Sequence, residues 1–192
     1  MNTKRWVVLG LSCVLLIILG FIFFRGGGGE RIKASAGMPP SSQTPEPGPP
    51  AETKLITLFL PAEEDSLLHP ETREIPASAS VAEEAKRVVE ELIKGSERGY
   101  LSPFPPGTSL RQLFITPEGV AYVDFSRDIV DKHLSGSSAE LATVYSVVNS
   151  LAFNFRPIKK VFILVEGEEK ETLGGHISLS KAFLPLYSLN SE

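Results

Sequence analysis

Hydrophobic residues form one long unbroken run near the start of the chain and shorter periodic patterns further along. The unbroken run begins at Trp6, ends at Phe24 and contains no charged residue. As a helix rising about 1.5 Å per residue, it nearly matches the roughly 30 Å hydrocarbon core of a bilayer. Lys4 and Arg5 precede it, which favours a cytoplasmic N-terminus and an exported remainder. The pattern predicts a transmembrane signal anchor over residues 1–25.

Two other interpretations of this segment fit the sequence less well. A cleaved signal peptide has an apolar region of about 7–15 residues, shorter than this run, and the triplet Ala34-Ser35-Ala36 lies well beyond it. A lipoprotein would need Cys13 at its cleavage point, but Cys13 lies within the run. An uncleaved anchor is favoured. Because Cys13 is the only cysteine, the exported part has no disulfide and no thiolate chemistry.

Residues 26–53 contain four consecutive glycines followed by a proline- and serine-rich stretch. Such a composition buries too little apolar surface to offset its ordering entropy, so it predicts a disordered linker that holds a domain away from the membrane. The domain itself is predicted over residues 54–192. Of the chain's net charge of −4, the part up to Thr53 contributes five basic and three acidic residues, which leaves the domain near −6. An acidic domain is a poor candidate for binding nucleic acid or anionic lipid.

Periodic patterns in the domain predict its elements. A β-rich run at residues 54–61 predicts a strand, and the polar stretch at 63–76 predicts turns and loop. An apolar stripe at helical spacing predicts a helix that begins with Ser80 and Glu83 as a capping box and ends at Gly95. The run at 110–126 predicts a hairpin with a type I turn at residues 116–119.

A second helix is predicted near residues 138–153, with Ser137 and Glu140 at capping-box spacing. The run at 158–167 predicts a buried strand, and two further short strands are predicted around Gly174 and Gly175. The resulting order is β-α-β-β-α-β-β. This order predicts an α+β domain with a mixed sheet of about four to five strands and two amphipathic helices on one face.

One stretch suggests chemistry because it contains Asp124, Asp128, Asp131 and His133 at short spacing. Carboxylates and imidazoles form metal sites and acid–base catalysts. However, no second histidine lies at ligand spacing, and Asp124 ends a strand whereas the others follow in a turn. We favour the interpretation that Asp124 and Ser126 bind backbone N–H groups where the strand ends.

Two weaker signals lie near the C-terminus. Ser178 and Lys181 match S-x-x-K, the motif of penicillin-recognising serine enzymes, but no K-T-G motif follows and the segment looks strand-like. Gly174-Gly175-His176 fits either an anion-binding nest or a simple turn. The sequence therefore predicts no catalytic, cofactor-binding or metal-binding residues and no cofactor.

The ordered series of segments resembles the GerMN family, which is named for the sporulation and germination protein GerM and also occurs in LpqB-type lipoproteins. The resemblance rests on TLFLPAEEDSLLHPETREIP, GTSLRQLFITPEGVAYVDFSRDI and the stretch from LATVYSVVNSL to LSKAF, which together cover residues 57–183. It implies a non-enzymatic extracytoplasmic domain, similar to the ring-building motifs of secretion-like complexes, with no catalytic residues to transfer. GerM carries two such domains and a lipid anchor, whereas this chain carries one domain and a predicted transmembrane anchor.

Anchor, linker and domain together predict a single-pass protein of the cell membrane whose domain assembles with an envelope protein or with itself. Binding is expected at sheet edges or at the apolar excess of the second helix, Ala142 and Val147. A cell-wall glycan or small-ligand domain is the alternative, with Tyr100, Phe104 and Tyr122 as stacking surfaces. An envelope serine hydrolase using Ser178 and Lys181 is the third hypothesis.

Overall fold

The computed structural model describes residues 52–134 and 136–191 of the chain. Within these residues the chain forms five strands and three helices. The strands are β1 (Thr53–Pro61), β2 (Leu68–Pro76), β3 (Leu110–Ile115), β4 (Val120–Phe125) and β5 (Lys160–Val165), and the helices are α1 (Val81–Lys94), α2 (Asp128–Asp131) and α3 (Ser137–Asn154). The predicted anchor and nearly all of the predicted linker lie outside the described residues. In the part that the structure describes, no helix has the length and apolar character needed to cross a bilayer.

The strands form two sheets. Strands β1 and β2 pair as an antiparallel hairpin, whereas β4 lies between β3, to which it is antiparallel, and β5, to which it is parallel. The predicted α+β class is confirmed, but the prediction of one sheet is wrong. The two strands predicted around Gly174 are also absent from the described residues, where a single bridge joins Thr172 to Ser178.

The prediction of turns and loop at residues 63–76 is wrong over its second part, where strand β2 forms. Its residues alternate between buried and exposed positions, as a strand with one buried face requires. Two of the inward positions are occupied by Glu71 and Arg73, which are 1 % and 7 % exposed. Because these charged residues stand where a strand usually carries apolar ones, the alternation is invisible in a hydrophobicity pattern.

An ionic cluster makes this inward face stable. The Arg73 guanidinium donates to Glu71 Oε1, to Glu91 Oε2 of α1 at 2.9 Å and to the carbonyl of Gly95 just after α1. The other side of the Glu71 carboxylate accepts from the Ser96 hydroxyl at 2.5 Å. The cluster therefore fastens β2 to the C-terminal end of α1, where carbonyl groups lack helical partners.

Helix α1 agrees with its prediction. The Ser80 hydroxyl accepts from the Glu83 N–H at the first turn, and Gly95 ends the helix with a φ of 87°. The apolar stripe of α1 packs against the three-stranded sheet, whose inner face carries Leu113, Val123 and Ile163. Both long helices lie on this inner face, as predicted.

Helix α3 differs from its prediction in two respects. Gly136 precedes its first residue and no side chain caps it, so the predicted Ser137–Glu140 capping box is wrong. The helix is also buried on its polar side, where Ser146, Asn149 and Ser150 are fully enclosed. It is therefore a central helix that packs on both β1 and β5.

Polar side chains of α3 cover the outer edge of β1. The Asn154 amide accepts from the Thr57 N–H at 2.9 Å and donates to the Thr57 carbonyl at 2.6 Å. The Ser150 hydroxyl accepts from the Phe59 N–H at 2.9 Å. Because unpaired strand groups are costly when buried, these bonds explain why a helix with so many polar residues lies inside the domain.

Candidate functional site

A groove with a volume of about 450 Å³ opens between a proline-rich loop and the first turns of α3. One wall is the loop from Leu101 to Pro106, and the other is formed by Ser138, Ala139 and Ala142 of α3. The end of the β1–β2 hairpin, with Pro61 and Leu68, closes one side. Apolar groups dominate the lining, and its polar groups are the ionisable side chains of Asp65, Lys132 and His133 together with four serine and threonine hydroxyls. A largely apolar concavity with a few polar groups is the usual form of a binding site.

The proline-rich wall is held in place by hydrogen bonds. The Thr143 hydroxyl donates to the Pro103 carbonyl at 2.6 Å, and the Thr108 hydroxyl donates to the Pro105 carbonyl at 2.9 Å. Phe104 is 6 % exposed, and its ring packs on Phe125 of β4 with the ring centres 5.4 Å apart. The wall is therefore built before any partner arrives, which lowers the entropy cost of binding.

Two exposed leucines flank the groove. Leu101 is 47 % exposed and Leu134 is 77 % exposed, although both are large apolar side chains. Single exposed leucines are ordinary, but here both belong to the lining of one apolar concavity. The groove and its leucines therefore form a continuous apolar surface of the kind that marks interaction sites.

His133 links α3 to the rim of the groove. Its Nε2 lies 2.9 Å from the Thr143 hydroxyl and its Nδ1 lies 2.8 Å from the Leu134 carbonyl. Thr143 has one proton, so when it donates to Pro103, Nε2 must donate to Thr143. The contacts of His133 thus support the groove wall and leave neither nitrogen free as a catalytic base.

The predicted Asp/His stretch does not converge on one point. Asp128 pairs with Lys132 at 2.6 Å, Asp131 faces Arg127 at 3.5 Å, and His133 points to Thr143. In the described residues no group of three or more potential ligands could hold a metal ion. The side chains that first suggested a cluster therefore act in separate local contacts.

Asp124 and Ser126 bind backbone N–H groups, as the favoured interpretation stated. Asp124 Oδ1 accepts from the Gly167 N–H at 2.8 Å and Oδ2 accepts from Arg111 at 3.0 Å. The Ser126 hydroxyl accepts from the Ser109 N–H at 3.0 Å. A bulge in β3 at Arg111 directs its guanidinium toward Asp124.

Replacing Asp124 by alanine is expected to lower the free energy of unfolding by about 1–3 kcal/mol, because the Gly167 N–H loses its acceptor. Chemical denaturation of the full chain measures this change. Asp131→Ala is the matched control, since the Asp131 carboxylate is exposed and its one ion pair spans 3.5 Å. Equal destabilisation by the two variants would contradict the role given to Asp124.

The serine-enzyme hypothesis finds no support in the geometry. The Ser178 hydroxyl lies 2.8 Å from the Ser180 hydroxyl, and its segment forms one bridge to Thr172. An S-x-x-K serine opens a helix, but no helix begins at Ser178 in the described part of the chain. Both Ser178 and Lys181 are exposed.

The Gly174-Gly175-His176 segment forms an anion-binding nest, and the anion that it binds is the side-chain carboxylate of Glu140. Glu140 of α3 is fully buried, and its carboxylate accepts from the N–H groups of His176 and Ile177, the latter at 2.9 Å. The His176 ring lies 2.7 Å from Glu140 Oε1. The sequence left a nest and a simple turn open for this segment and placed Glu140 in a helix cap, so the contact between Glu140 and the nest was not predicted.

The three rings considered for glycan stacking offer little free surface. Phe104 is in the core, and Tyr100 stacks on His69 with centres 5.2 Å apart. Tyr122 lies between Phe114 and Phe162, at 4.8 Å and 5.4 Å between ring centres. Because both faces of Tyr122 are covered, a sugar ring cannot stack on it.

Of the two apolar residues of α3 expected at a binding surface, the structure places one in the groove. Ala142 lines the groove, whereas Val147 is fully buried in the core. The expectation for Val147 is therefore wrong, because α3 is enclosed on more sides than a surface helix. His133, Phe104 and Ala142, which were considered for three separate reasons, meet at this groove.

Comparison with known families agrees with the fold and with the resemblance. The family described as "Germane: Sporulation and spore germination" matches residues 57–171. The chain belongs to this family. The match begins within β1 and includes the other four strands, the three helices α1 to α3 and most of the groove lining, so the groove lies largely within the matched region.

Two solved structures of Bacillus subtilis GerM share this fold. The tandem GerMN domains of the sporulation protein GerM match at 25 % identity and a TM-score of 0.55, covering 68 % of this chain and 46 % of that one. The first GerMN domain of GerM matches at 21 % identity and a TM-score of 0.52, covering 69 % of this chain and 97 % of that one. The Germane domain here thus corresponds to one GerMN domain. No curated protein matches the sequence.

Proposed function

We propose that this chain is a non-catalytic binding module of the cell envelope, and that its Germane domain docks an apolar segment of an envelope protein in the groove. The observation that carries the proposal is the preformed apolar groove flanked by the exposed Leu101 and Leu134. Hot spots of protein interfaces are desolvated apolar pockets of this kind. The predicted anchor over residues 1–25 would hold the domain at the membrane, on its extracytoplasmic side.

Polypeptide fits the groove better than a glycan does. Apolar side chains such as those of Leu101, Pro103 and Pro105 dominate its surface, whereas a sugar presents many hydroxyl groups that lose water on binding. GerM is described as a sporulation protein, and the family description adds spore germination. A role of this chain in assembling an envelope complex for either process is part of the proposal.

A photo-crosslinking residue placed at Leu134 in the full chain tests this function in the native cell. We expect one protein adduct, and we expect Ala142→Arg to reduce its yield about tenfold, since a charged side chain would fill the groove. The matched control is the same residue at Leu55, which is 65 % exposed on β1 and does not line the groove.

The outcome separates the hypotheses. An adduct at Leu134 that Ala142→Arg abolishes supports docking in the groove. If Leu134 and Leu55 give the same adducts, or if Ala142→Arg changes nothing, the groove does not dock a protein. Retention of the full chain on isolated cell wall that persists in the Ala142→Arg variant would favour the glycan alternative instead.

A further inference from the structure

Strand β3 is an uncovered sheet edge. It is the outer strand of the three-stranded sheet, and within residues 52–134 and 136–191 no other segment forms a backbone hydrogen bond to its outer side. The edges at β1 and β5 are covered, whereas in the described residues the outer side of β2 receives a backbone hydrogen bond near its start, from the Ser191 N–H to the Leu68 carbonyl. Asn154 and Ser150 cover β1, and the backbone of Phe183 exchanges two hydrogen bonds with Val161 of β5.

The side chains of β3 do little to protect this edge. Natural edges are commonly blunted by lysine, proline or inward-pointing charge. The charge of β3 is that of Arg111, whose guanidinium donates to Asp124 at 3.0 Å and whose side chain is still 41 % exposed, so it can also reach an acidic group on a partner. Phe114 is 47 % exposed, and the stack with Tyr122 covers one of its ring faces, leaving the face toward the open edge free. The unpaired backbone edge of β3 and the free face of the Phe114 ring therefore lie on the same side of the sheet.

We propose that a second copy of this chain pairs with β3, antiparallel about a two-fold axis. The charges along the edge select this arrangement. Arg111 stands near the start of β3 and the exposed Glu118 stands in the turn that follows it. Antiparallel pairing places Arg111 of each copy beside Glu118 of the other, whereas parallel pairing would bring like charges together.

The aromatic ladder favours the same arrangement. Neighbouring rings of the ladder are 4.8 Å and 5.4 Å apart, close to the spacing between paired strands. A register with Phe114 of the two copies opposite one another continues the ladder across the axis and covers the free ring face. Gln112 of each copy then lies opposite Thr116 of the other. This surface uses none of the groove residues, so the proposal does not depend on docking in the groove.

Disulfide trapping in the full chain tests this pairing. With Cys13→Ser as background, differently tagged copies carrying Gln112→Cys and Thr116→Cys are produced together and oxidised. Directly opposite positions in antiparallel strands have Cβ atoms about 4.5–5.5 Å apart, near disulfide distance. We expect a mixed dimer joining the two tags. The matched control replaces Thr116→Cys by Glu90→Cys, an exposed position on α1.

A second variant separates edge pairing from chance collision. Phe114→Lys in both copies is expected to reduce the mixed dimer about tenfold, because lysine opposes edge pairing, while the domain stays folded by circular dichroism because the Phe114 side chain lies on the exposed face of the sheet. The proposal is overturned if the control pair traps as much dimer as the test pair, if no dimer forms, or if Phe114→Lys leaves the yield unchanged. None of these results bears on the Leu134 adduct, so the two proposals fail separately.

Discussion

Replacing Glu140 by glutamine is expected to lower the free energy of unfolding by about 2–4 kcal/mol, measured by urea denaturation of the full chain. The carboxylate is fully buried and accepts hydrogen bonds from the backbone N–H groups of His176 and Ile177. Glutamine has nearly the same shape, but its side-chain NH2 group replaces one carboxylate oxygen and cannot accept a hydrogen bond from a backbone N–H group. At least one buried N–H group therefore loses its acceptor.

The C-terminal loop depends on this one side chain. A Cβ atom at Gly174 would come within 3.0 Å of Glu140 Oε1, so the loop wraps closely around the carboxylate. Beyond the nest, Leu173 and Leu179 are buried in the core. Loss of the carboxylate should therefore loosen the loop between these leucines, which faster amide hydrogen exchange at His176 and Ile177 would detect.

The effect of Glu140 should depend on pH. Burial alone would raise the pKa of the Glu140 carboxyl, but hydrogen bonds from Ile177, His176 and Gly174 outweigh burial and lower the pKa. Because the pKa of Glu140 is lower in the folded state, its carboxylate stabilises the fold at pH values above the ordinary carboxyl pKa. This stabilisation is lost as the pH falls through the lowered pKa. The difference between wild type and Glu140→Gln should therefore shrink in acid.

The control for this prediction is Glu169→Gln, a charge-neutralising change at an exposed glutamate of the same loop region. It removes the same charge without touching the nest, so its effect should stay within about 0.5 kcal/mol. If Glu169→Gln and Glu140→Gln destabilise the protein equally, general charge and not the nest determines the loss.

Replacing Arg73 by methionine is expected to cost about 3–5 kcal/mol of unfolding free energy, because removing one partner of a buried ion pair leaves the other charge uncompensated. The side chains of Arg73 and Glu71 are 5 % and 1 % exposed, and Nη2 lies 2.5 Å from Glu71 Oε1. The carbonyl groups of Glu91 and Gly95 at the end of α1 also lose their donor. Thermal or chemical unfolding of the full chain measures the loss.

A second substitution tests the stated cause. Because the cost comes largely from the stranded Glu71 carboxylate, Glu71→Gln combined with Arg73→Met should be less destabilising than the sum of the two single changes. Arg98→Met provides the matched control, since Arg98 is an exposed arginine in the loop after α1. Additive effects of the two cluster substitutions would show that Glu71 and Arg73 act independently.

Local patterns predicted the elements whose buried positions are apolar. The stripe of α1, its cap at Ser80 and the hairpin of β3 and β4 all appeared in the sequence, and all are present in the structure. Strand β2 did not appear, because Glu71 and Arg73 occupy its inward positions. A charged residue can be recognised as buried only when its ion-pair and hydrogen-bond partners, here on and after α1, are known.

The groove could not be predicted as a site because its walls come from separate parts of the chain. Phe104, His133 and Ala142 each attracted a separate hypothesis, and the fold brings them around one concavity. Their individual roles follow from packing, since Phe104 anchors a wall and His133 braces it through Thr143. No spacing rule connects these three positions.

The sequence by itself determined the α+β class, the family resemblance, the helix α1 and the β3–β4 hairpin, because apolar periodicity and turn chemistry act over a few residues. It also favoured the binding of backbone N–H groups by Asp124 and Ser126, which the structure confirms. The tertiary structure alone decided the division into two sheets, the ionic face of β2, the enclosed position of α3 and the pairing of Glu140 with its nest. Most of these features depend on partners that lie 20 or more residues away in the sequence. Glu140 and His176, for example, are 36 residues apart. A polar side chain can be buried when it finds hydrogen-bond or ionic partners, and the tertiary fold determines which partners lie next to it.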